Sequence, residues 1–273
     1  MDLKTLIKLA LKEDMPHCDV TTEALVPAGK IISAVFLAKE DGIVCGLDAA
    51  KEVFKSLDKK IVFKPFIKDG KKVKKYHKIA LVNGRARAIL SGERTALNIL
   101  QHLSGIATLT NKYVNLAVGK TKIYDTRKTT PLLRELEKYA VRCGGGFNHR
   151  LNLSDMALIK DNHLKAVGSW QLAVDKLRQR HKKIIIEIEA QNMGQVKQLL
   201  ELKPDIIMLD NMSFAEMRRA IKYIREHSKC EIEISGNVDL KTIAKYAELR
   251  PDRISVGKIT HSAPNLDISL EFL

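Results

Sequence analysis

Little in this chain offers covalent or metal support. It has four cysteines, Cys18, Cys45, Cys143 and Cys230. They are scattered, with no C-x-x-C pair and no histidine at zinc-site spacing, which excludes a zinc ribbon and a disulfide framework and fits a reducing compartment. Aromatic residues make up only 5%, too few for a base-stacking platform. No apolar run reaches the length of a membrane span. The opening MDLKTLIKLALKEDM meets Glu13 and Asp14 after a short apolar stripe and lacks the long apolar core and cleavage site of a secretory signal. These absences predict a cytoplasmic protein with no membrane partner. With 45% hydrophobic content over 273 residues, it can bury a substantial core in one large domain or two ordinary ones.

What the chain has in excess is positive charge, formally +15. Such an excess fits either a nucleic-acid-binding face or a lysine-rich surface around a site for acidic small molecules. Much of it lies between Lys55 and Lys78, where lysines surround Ile61, Phe63, Phe66 and Ile67 in the manner of a solvated face. That placement favours a small-molecule site and predicts no nucleic-acid partner. A basic nucleic-acid-binding protein stays as an alternative of another class.

Periodicity divides the chain near its middle. Asp2 to Lys12 predicts a short amphipathic helix, with Leu3, Leu6, Ile7 and Leu11 at helical spacing. Ile31 to Leu37 and Ile43 to Cys45 predict strands, and Asp48 to Leu57 a helix. Ile61 to Phe66 and Ile79 to Val82 predict further strands, separated by Gly70 and closed by an Asn83-Gly84 turn. Glu93 to Leu103 and Ile106 to Val118 predict two helices broken at Gly105. From Lys122 onward, short β-branched runs alternate with helical stretches, the pattern of parallel strands joined by helices. Six candidate strands end in a polar residue or glycine: KIYDT near Asp125 and Arg127, ALIKD at Lys160, IIIEIE at Glu189, DIIMLD at Asp210, CEIEIS at Ser235 and DRISVG at Gly257. One such ending marks only the start of a polar loop. Six in series, with Glu187 and Glu189 flanking Ile188, predict strand ends that line one mouth of an α/β barrel. Lys122 to His261 is short for eight units, so the barrel is expected to be incomplete.

The residues at these ends carry the chemistry. In DTRKTTP, Arg127 and Lys128 stand side by side where a strand gives way to a loop, and two cations there invite a carboxylate or phosphate. In CGGGFNHR, three glycines permit a tight turn before Asn148, His149 and Arg150. With Lys160 these form a cationic cluster that would repel itself inside a barrel unless a multiply charged anion filled it. Glu189 and Asp210, opposite in sign at the ends of buried strands, could pair with the cations, bind ribose hydroxyls or hold Mg²⁺. ISGN, with Ser235, Gly236 and Asn237, and SVGK, with Gly257 and Lys258, look like backbone-amide nests for phosphate in late barrel loops. A polyanion site, a carboxylate pair and phosphate loops together point to phosphoribosyl transfer.

The segments DTRKTTP, GGGFNHR, LIKDNH, LDN, EISGN and SVGKITHS, with LKEDMPHCDVTT and ERTALNILQHLSGIAT upstream, stand in an order that resembles the quinolinate phosphoribosyltransferase family over nearly the whole chain. The resemblance implies a mixed α/β sandwich N-terminal domain over residues 1–112 and an incomplete, TIM-like α/β barrel over 113–273, with the C-terminal tail a candidate to pack back on the first domain. It implies transfer from phosphoribosyl pyrophosphate to quinolinate, giving nicotinate mononucleotide, pyrophosphate and CO₂ in de novo NAD biosynthesis. It also implies a homodimer in which each site borrows Arg94 from the neighbouring subunit. By the same resemblance Arg127, His149, Arg150 and Lys160 bind the quinolinate carboxylates, Thr126 belongs to the same binding loop, and Lys128 lies near the reacting groups. Glu189 and Asp210 serve the ribose and Mg²⁺, directly or through substrate oxygens, and Ser235, Gly236, Asn237, Gly257 and Lys258 form the phosphate loops. The implied catalytic residues are Lys128, Lys160, Glu189 and Asp210. Many members have a second glycine where this chain has Asn237.

Within the same fold, a ModD-type paralogue or a nicotinate-preferring enzyme would need fewer cations than the NHR and KDNH motifs supply. IKDGKKVKKYHKIALVNG also resembles the hammerhead repeat of biotinyl and lipoyl carriers, but no hairpin-tip lysine follows in the expected setting. That predicts a similar local fold without the modification.

Overall fold

The computed structural model describes Met1–Leu273. Its elements run α1 (Leu3–Asp14), α2 (Val20–Leu25), β1 (Ile31–Ala38), β2 (Gly42–Ile43), α3 (Leu47–Leu57), β3 (Val62–Pro65), β4 (Lys72–Val73), β5 (Lys78–Arg85) and α4 (Ala86–Ala117). They continue with β6 (Lys122–Tyr124), α5 (Arg134–Cys143), β7 (Ala157–Ile159), α6 (Asp161–Val167), α7 (Trp170–Arg180), β8 (Ile186–Ala190), α8 (Met193–Glu201), β9 (Ile206–Asp210) and α9 (Phe214–His227). The last are β10 (Glu231–Ser235), α10 (Ile243–Ala247), β11 (Arg253–Ser255), α11 (Lys258–His261) and β12 (Ile268–Phe272). No helix is long and apolar enough to cross a membrane. The chain divides into two compact units: Met1–Asn111 with Thr129–Gly145 and Ile259–Leu273, and Lys112–Lys128 with Gly146–Lys258.

The first unit is built on an antiparallel sheet of order β12-β1-β5-β3, beside a small β2-β4 pair. Alternation along β1 turns Ala34, Phe36 and Ala38 to the core. There Phe36, Phe54 and Phe63 pack with ring centroids 6.0–6.2 Å apart. Ile7 and Leu11 of α1 join the same cluster. Asp2 caps that helix by accepting from the Thr5 amide at 3.0 Å. The C-terminal strand belongs to this unit as well, with Ala34 of β1 opposite Phe272 of β12.

Two sequence expectations fail here. Asn83-Gly84 is no turn but lies inside β5, with Asn83 paired to Ser33 and Gly84 to Ile32. Ile61 packs against Gly84, and a Cβ there would meet its Cγ1 at 2.7 Å. Gly105 breaks no helix, because α4 runs through it without interruption. Its glycine admits a neighbouring segment instead, for a Cβ would lie 3.0 Å from Asn265 Cα and still closer to the Pro264 carbonyl oxygen. Tertiary packing, not helix propensity, selects glycine at this position.

The second unit contains six parallel strands in the order β6-β11-β10-β9-β8-β7, matching the six expected strands. The first strand lies beside the last, as in a barrel, and the opening falls between β6 and β7. An isolated bridge between Tyr124 and Phe147 extends the β6 edge, with Phe147 N donating to Ile123 O at 2.7 Å. Strand ends pass quickly into helices. Asn192 caps α8, and Ser213 with Glu216 forms a capping box on α9. The architecture is therefore an incomplete α/β barrel.

Replacing a mid-helix glycine with alanine ordinarily stabilises a protein by about 1 kcal/mol. At Gly105 the opposite is expected, a loss of about 1–3 kcal/mol from overpacking, read from urea unfolding of Gly105→Ala. A gain in stability would show that the Pro264 segment yields freely.

Candidate functional site

Strand order fixes the sequence of side chains around the barrel mouth. Lys160 follows β7, Glu189 lies near the end of β8, Asp210 ends β9, Ser235 ends β10 and Gly257 follows β11. Register places Ser235 directly opposite Asp210, and Ala190 opposite Leu209. The carboxyl ends of the strands thus bring together Lys160, Glu189, Asp210, Ser235 and Gly257. Lys160 Nζ donates to Glu189 Oε2 at 2.6 Å.

Arg127 and Arg150 stand on the two segments flanking the open side. Asp125, fully buried after β6, ties these segments together. Its carboxylate accepts from Asn148 Nδ2 at 2.6 Å and from the His149 amide at 2.8 Å. Arg150 Nη1 donates to the Met156 carbonyl at 3.0 Å. Burial and then the positive charge of Arg127 hold the Arg150 guanidinium below its usual basicity, although Glu187 and Asp155 act the other way. Thr126 Oγ1 accepts from the Lys128 amide at 3.1 Å, and the Lys128 side chain is exposed.

A second charged layer lies deeper. Glu187 and Glu233, on alternate strands β8 and β10, are both fully buried. His149 Nε2 sits 3.1 Å from Glu187 Oε2 and 3.5 Å from Glu233 Oε2. The imidazole Nδ1 accepts from the Arg150 amide at 2.8 Å, which directs Nε2–H at the carboxylates. Burial alone would lower the basicity of His149, but hydrogen bonds and charge from Glu233 and Glu187 outweigh it and push the group up to about 9. Burial, reinforced by Glu187, pushes Glu233 up to about 7. The cluster thus keeps a proton at neutral pH that its members would lose in water, and because Nδ1 accepts from an amide, that proton lies among Nε2 and the two carboxylates. Arg253 adds positive charge, with Nε 4.0 Å from Glu233 Oε2, a contact to Glu231, and its guanidinium 4.7 Å over the Tyr124 ring. His149, Glu187 and Glu233 also have the spacing of a cation site, but a shared proton and Arg253 offset both carboxylates without a metal. His149 therefore sits below Arg150, its ring turned to protein groups.

The expected phosphate loop after β10 has an unusual backbone. Gly236 has φ +90° and Asn237 φ +50°, two left-handed residues in succession. Asparagine is among the few side chains that tolerate this region, so it serves where a second glycine would otherwise stand. Asn237 Nδ2 donates to Asn211 Oδ1 at 3.2 Å, and Asn211 Nδ2 donates to Asp210 Oδ2 at 2.7 Å. A Cβ on Gly236 would collide with the Asn211 side chain. Asn211 thus joins a carboxylate to the candidate phosphate loop. Asn211 belongs to the LDN segment, but its positive φ of 53° has no sequence signature, so its linking role is visible only in the fold. Lys258 is exposed at the start of α11. Arg94, exposed on α4 in the first unit, lies outside this barrel group.

Known proteins match this chain from end to end. The sequence model for "Quinolinate phosphoribosyl transferase, N-terminal domain" matches residues 19–104, and that for the C-terminal domain of the same protein matches residues 106–271. The chain belongs to the quinolinate phosphoribosyltransferase family. A relative from Mycobacterium leprae, named nicotinate-nucleotide pyrophosphorylase (carboxylating), is 40% identical, with 97% of this chain and 95% of that protein covered. Among solved structures, the nicotinate-nucleotide pyrophosphorylase of Francisella tularensis superposes with a TM-score of 0.94 at 40% identity, covering 99% of this chain and 96% of that one. The Ehrlichia chaffeensis protein of the same name gives 0.95 at 37% identity, covering 100% and 99%. The family match over both halves disfavours the carrier and nucleic-acid readings.

The buried cluster makes a pH prediction. His149 and Glu233 both have folded-state values above their ordinary 6.5 and 4.5. The stability each contributes is complete below its unfolded value and disappears as pH rises through its folded value. Glu233 loses its share between about 4.5 and about 7, and His149 between about 6.5 and about 9. Unfolding free energy should fall by on the order of 2–3 kcal/mol from pH 6 to 9.5, and less in Glu233→Gln. A flat wild-type profile in chemical denaturation would contradict the shared proton.

Proposed function

We propose that this chain is a quinolinate phosphoribosyltransferase (decarboxylating) that uses phosphoribosyl pyrophosphate as donor and acts as a homodimer. The observation that carries this reading is the pair Arg127 and Arg150, on two segments joined through buried Asp125 at the open side of a barrel whose strand ends present Lys160, Glu189 and Asp210. Two guanidinium groups suit a substrate with two carboxylates better than one with a single carboxylate.

Quinolinate is held by Arg127, Arg150 and Lys160, which bind and orient its carboxylates. His149 is a positioning residue, since its Nδ1 accepts from and so fixes the Arg150 amide. The successive left-handed residues Gly236 and Asn237, with Ser235, Gly257 and Lys258, receive the 5′-phosphate. As the bond between C1 of the ribose and the pyrophosphate oxygen breaks, C1 becomes cationic and the pyridine nitrogen attacks it, forming the new C–N bond. Lys128 lies near the reacting groups, where its charge offsets that of the departing pyrophosphate. The carboxylate beside the ring nitrogen then leaves as CO₂, its bonding electrons stay on the ring carbon next to the positive nitrogen, and a proton is taken up there.

Glu189 and Asp210, on adjacent strands, offer hard oxygen donors of the kind Mg²⁺ prefers, with remaining positions left to substrate oxygens and water. Bound there, Mg²⁺ would neutralise charge on the pyrophosphate. Glu189 also holds Lys160 at 2.6 Å and so keeps that ammonium oriented. Arg94 of the neighbouring subunit completes each site, a reading that rests on the family and on the exposure of Arg94 on α4.

The direct test is a steady-state assay with Mg²⁺ and phosphoribosyl pyrophosphate, following nicotinate mononucleotide and CO₂. Product from quinolinate alone is expected, and turnover of nicotinate alone would overturn the substrate assignment. Arg150→Lys should raise the KM for quinolinate about tenfold or more, as expected for loss of a charge-assisted hydrogen-bond pair. The KM for phosphoribosyl pyrophosphate should change little, and equal losses for both would remove Arg150 from the carboxylate site. Mixing Arg94→Ala with Lys160→Ala chains should restore about a quarter of wild-type activity if dimers form at random, because one site of each mixed dimer is then intact. No recovery in verified mixed dimers would exclude sharing.

A further inference from the structure

Two cysteines far apart in sequence meet in the first unit. Cys45 lies in the turn between β2 and α3, and Cys143 is the last residue of α5. Gly70 joins their two segments: its amide donates to the carbonyl of Val44, next to Cys45, at 2.8 Å, and a Cβ on it would lie 3.3 Å from the Cys143 carbonyl oxygen and 3.9 Å from Cys143 Cβ. The two thiols therefore lie close enough to perturb one another. Cys45 is fully buried, whereas Cys143 is partly exposed. Neither is among the residues of the candidate transferase site.

Both backbones are fastened to the same helix. The Cys45 amide donates to Ser104 Oγ at 2.9 Å, and Ser104 Oγ donates back to the Cys45 carbonyl at 3.2 Å. One turn further along α4, Gly144 sits so close that a Cβ would lie 2.6 Å from Thr110 Cβ and nearer still to the Ala107 carbonyl oxygen. Cys143 is thereby held against the helix that holds Cys45. Asp69 braces the same spot. Its carboxylate accepts from the amides of Gly46 at 3.0 Å and Leu47 at 3.2 Å, and from the Tyr139 hydroxyl at 3.0 Å. Tyr139 lies one helical turn before Cys143 on α5, so the same carboxylate braces the helix end that carries the thiol. A pair ordered in advance loses little further freedom when a bond forms between its sulfurs.

The two thiols differ in chemistry. Interaction with Cys45, then with Tyr139, lowers the Cys143 thiol against burial and the charge of Asp69, with Arg142 assisting. The same interaction and burial raise Cys45. Cys143 is the sulfur that a peroxide can reach and Cys45 is fully buried behind it, an attacking and resolving arrangement.

We infer that Cys143 and Cys45 form an oxidisable dithiol that closes to an intramolecular disulfide on reaction with a hydroperoxide. The Cys143 thiolate attacks one peroxide oxygen. An S–O bond forms, the O–O bond breaks, and the departing oxygen takes a proton to leave as water or an alcohol. Cys45 then attacks the sulfenic sulfur. The S–S bond forms, the S–O bond breaks, and the released hydroxide takes the Cys45 proton. Two thiols and one hydroperoxide become one disulfide, one water and a second water or alcohol, and a thiol reductant reverses the change. The modification is independent of transferase activity and is read without it.

The experiment treats the native full-length protein with equimolar hydrogen peroxide, alkylates the remaining thiols in denaturant, and maps peptides without reduction. The expected product is a linked Cys45–Cys143 peptide, with Cys18 and Cys230 alkylated and the intact chain two hydrogens lighter before alkylation. The same treatment in urea should give at least tenfold less of that peptide. In Cys45→Ala, a sulfenic-acid trap should label Cys143, which then overoxidises to the sulfinic acid. Linkage through Cys18, linkage between chains, equal yield from unfolded protein, or Cys143 alkylated as readily as before peroxide would each overturn the inference. The wild-type mapping decides even if the variant fails to fold.

Discussion

Charge neutralisation beneath the barrel mouth is the constraint on which the second unit depends. Glu187 and Glu233 are fully buried on alternate strands, where a lone carboxylate pair would be costly to keep. The structure meets that cost with the His149 imidazole, Arg253 and a retained proton. Because His149 is held in place from below, its Nδ1 fixes the next amide and so the start of Arg150. A layer with no direct part in binding thus sets the position of one that has.

Asp125 acts in the same way from the side. Its carboxylate accepts from Asn148 and from the His149 amide, so the segment after β6, which carries Arg127, and the segment that carries Arg150 share one anchor. The two arginines come from separate stretches of chain, but one buried acid sets their separation. Their mutual repulsion is sustained by that anchor and is available to a dianion on binding.

How much of this was legible depends on whether a feature is local. The six barrel strands were readable because each is a short apolar run with a polar or glycine end, and Lys160, Glu189, Asp210 and Ser235 all fall at those ends. Glu187 stood out beside Ile188, but its partner Glu233 did not, because the pairing crosses from β8 to β10. The orientation of His149 was also hidden. Its motif indicated a cation near substrate, and only the fold turns the ring inward. Glycine misled twice, at Gly84 and Gly105, where close approach of Ile61 and Pro264 decides the residue and no turn or break exists. The cysteine count gave no sign of a pair, since Cys45 and Cys143 meet only through separate contacts to α4.

The place of β12 bears on how the protein is made. Its partner β1 is among the first segments to leave the ribosome, whereas β12 follows the entire barrel sequence. At 5–20 residues per second, translation leaves the outer edge of β1 without its partner for on the order of 10–50 s. The first-made half of the chain is therefore among the last to close its sheet. Through that interval its open edge is the surface most exposed to wrong pairing with another nascent chain.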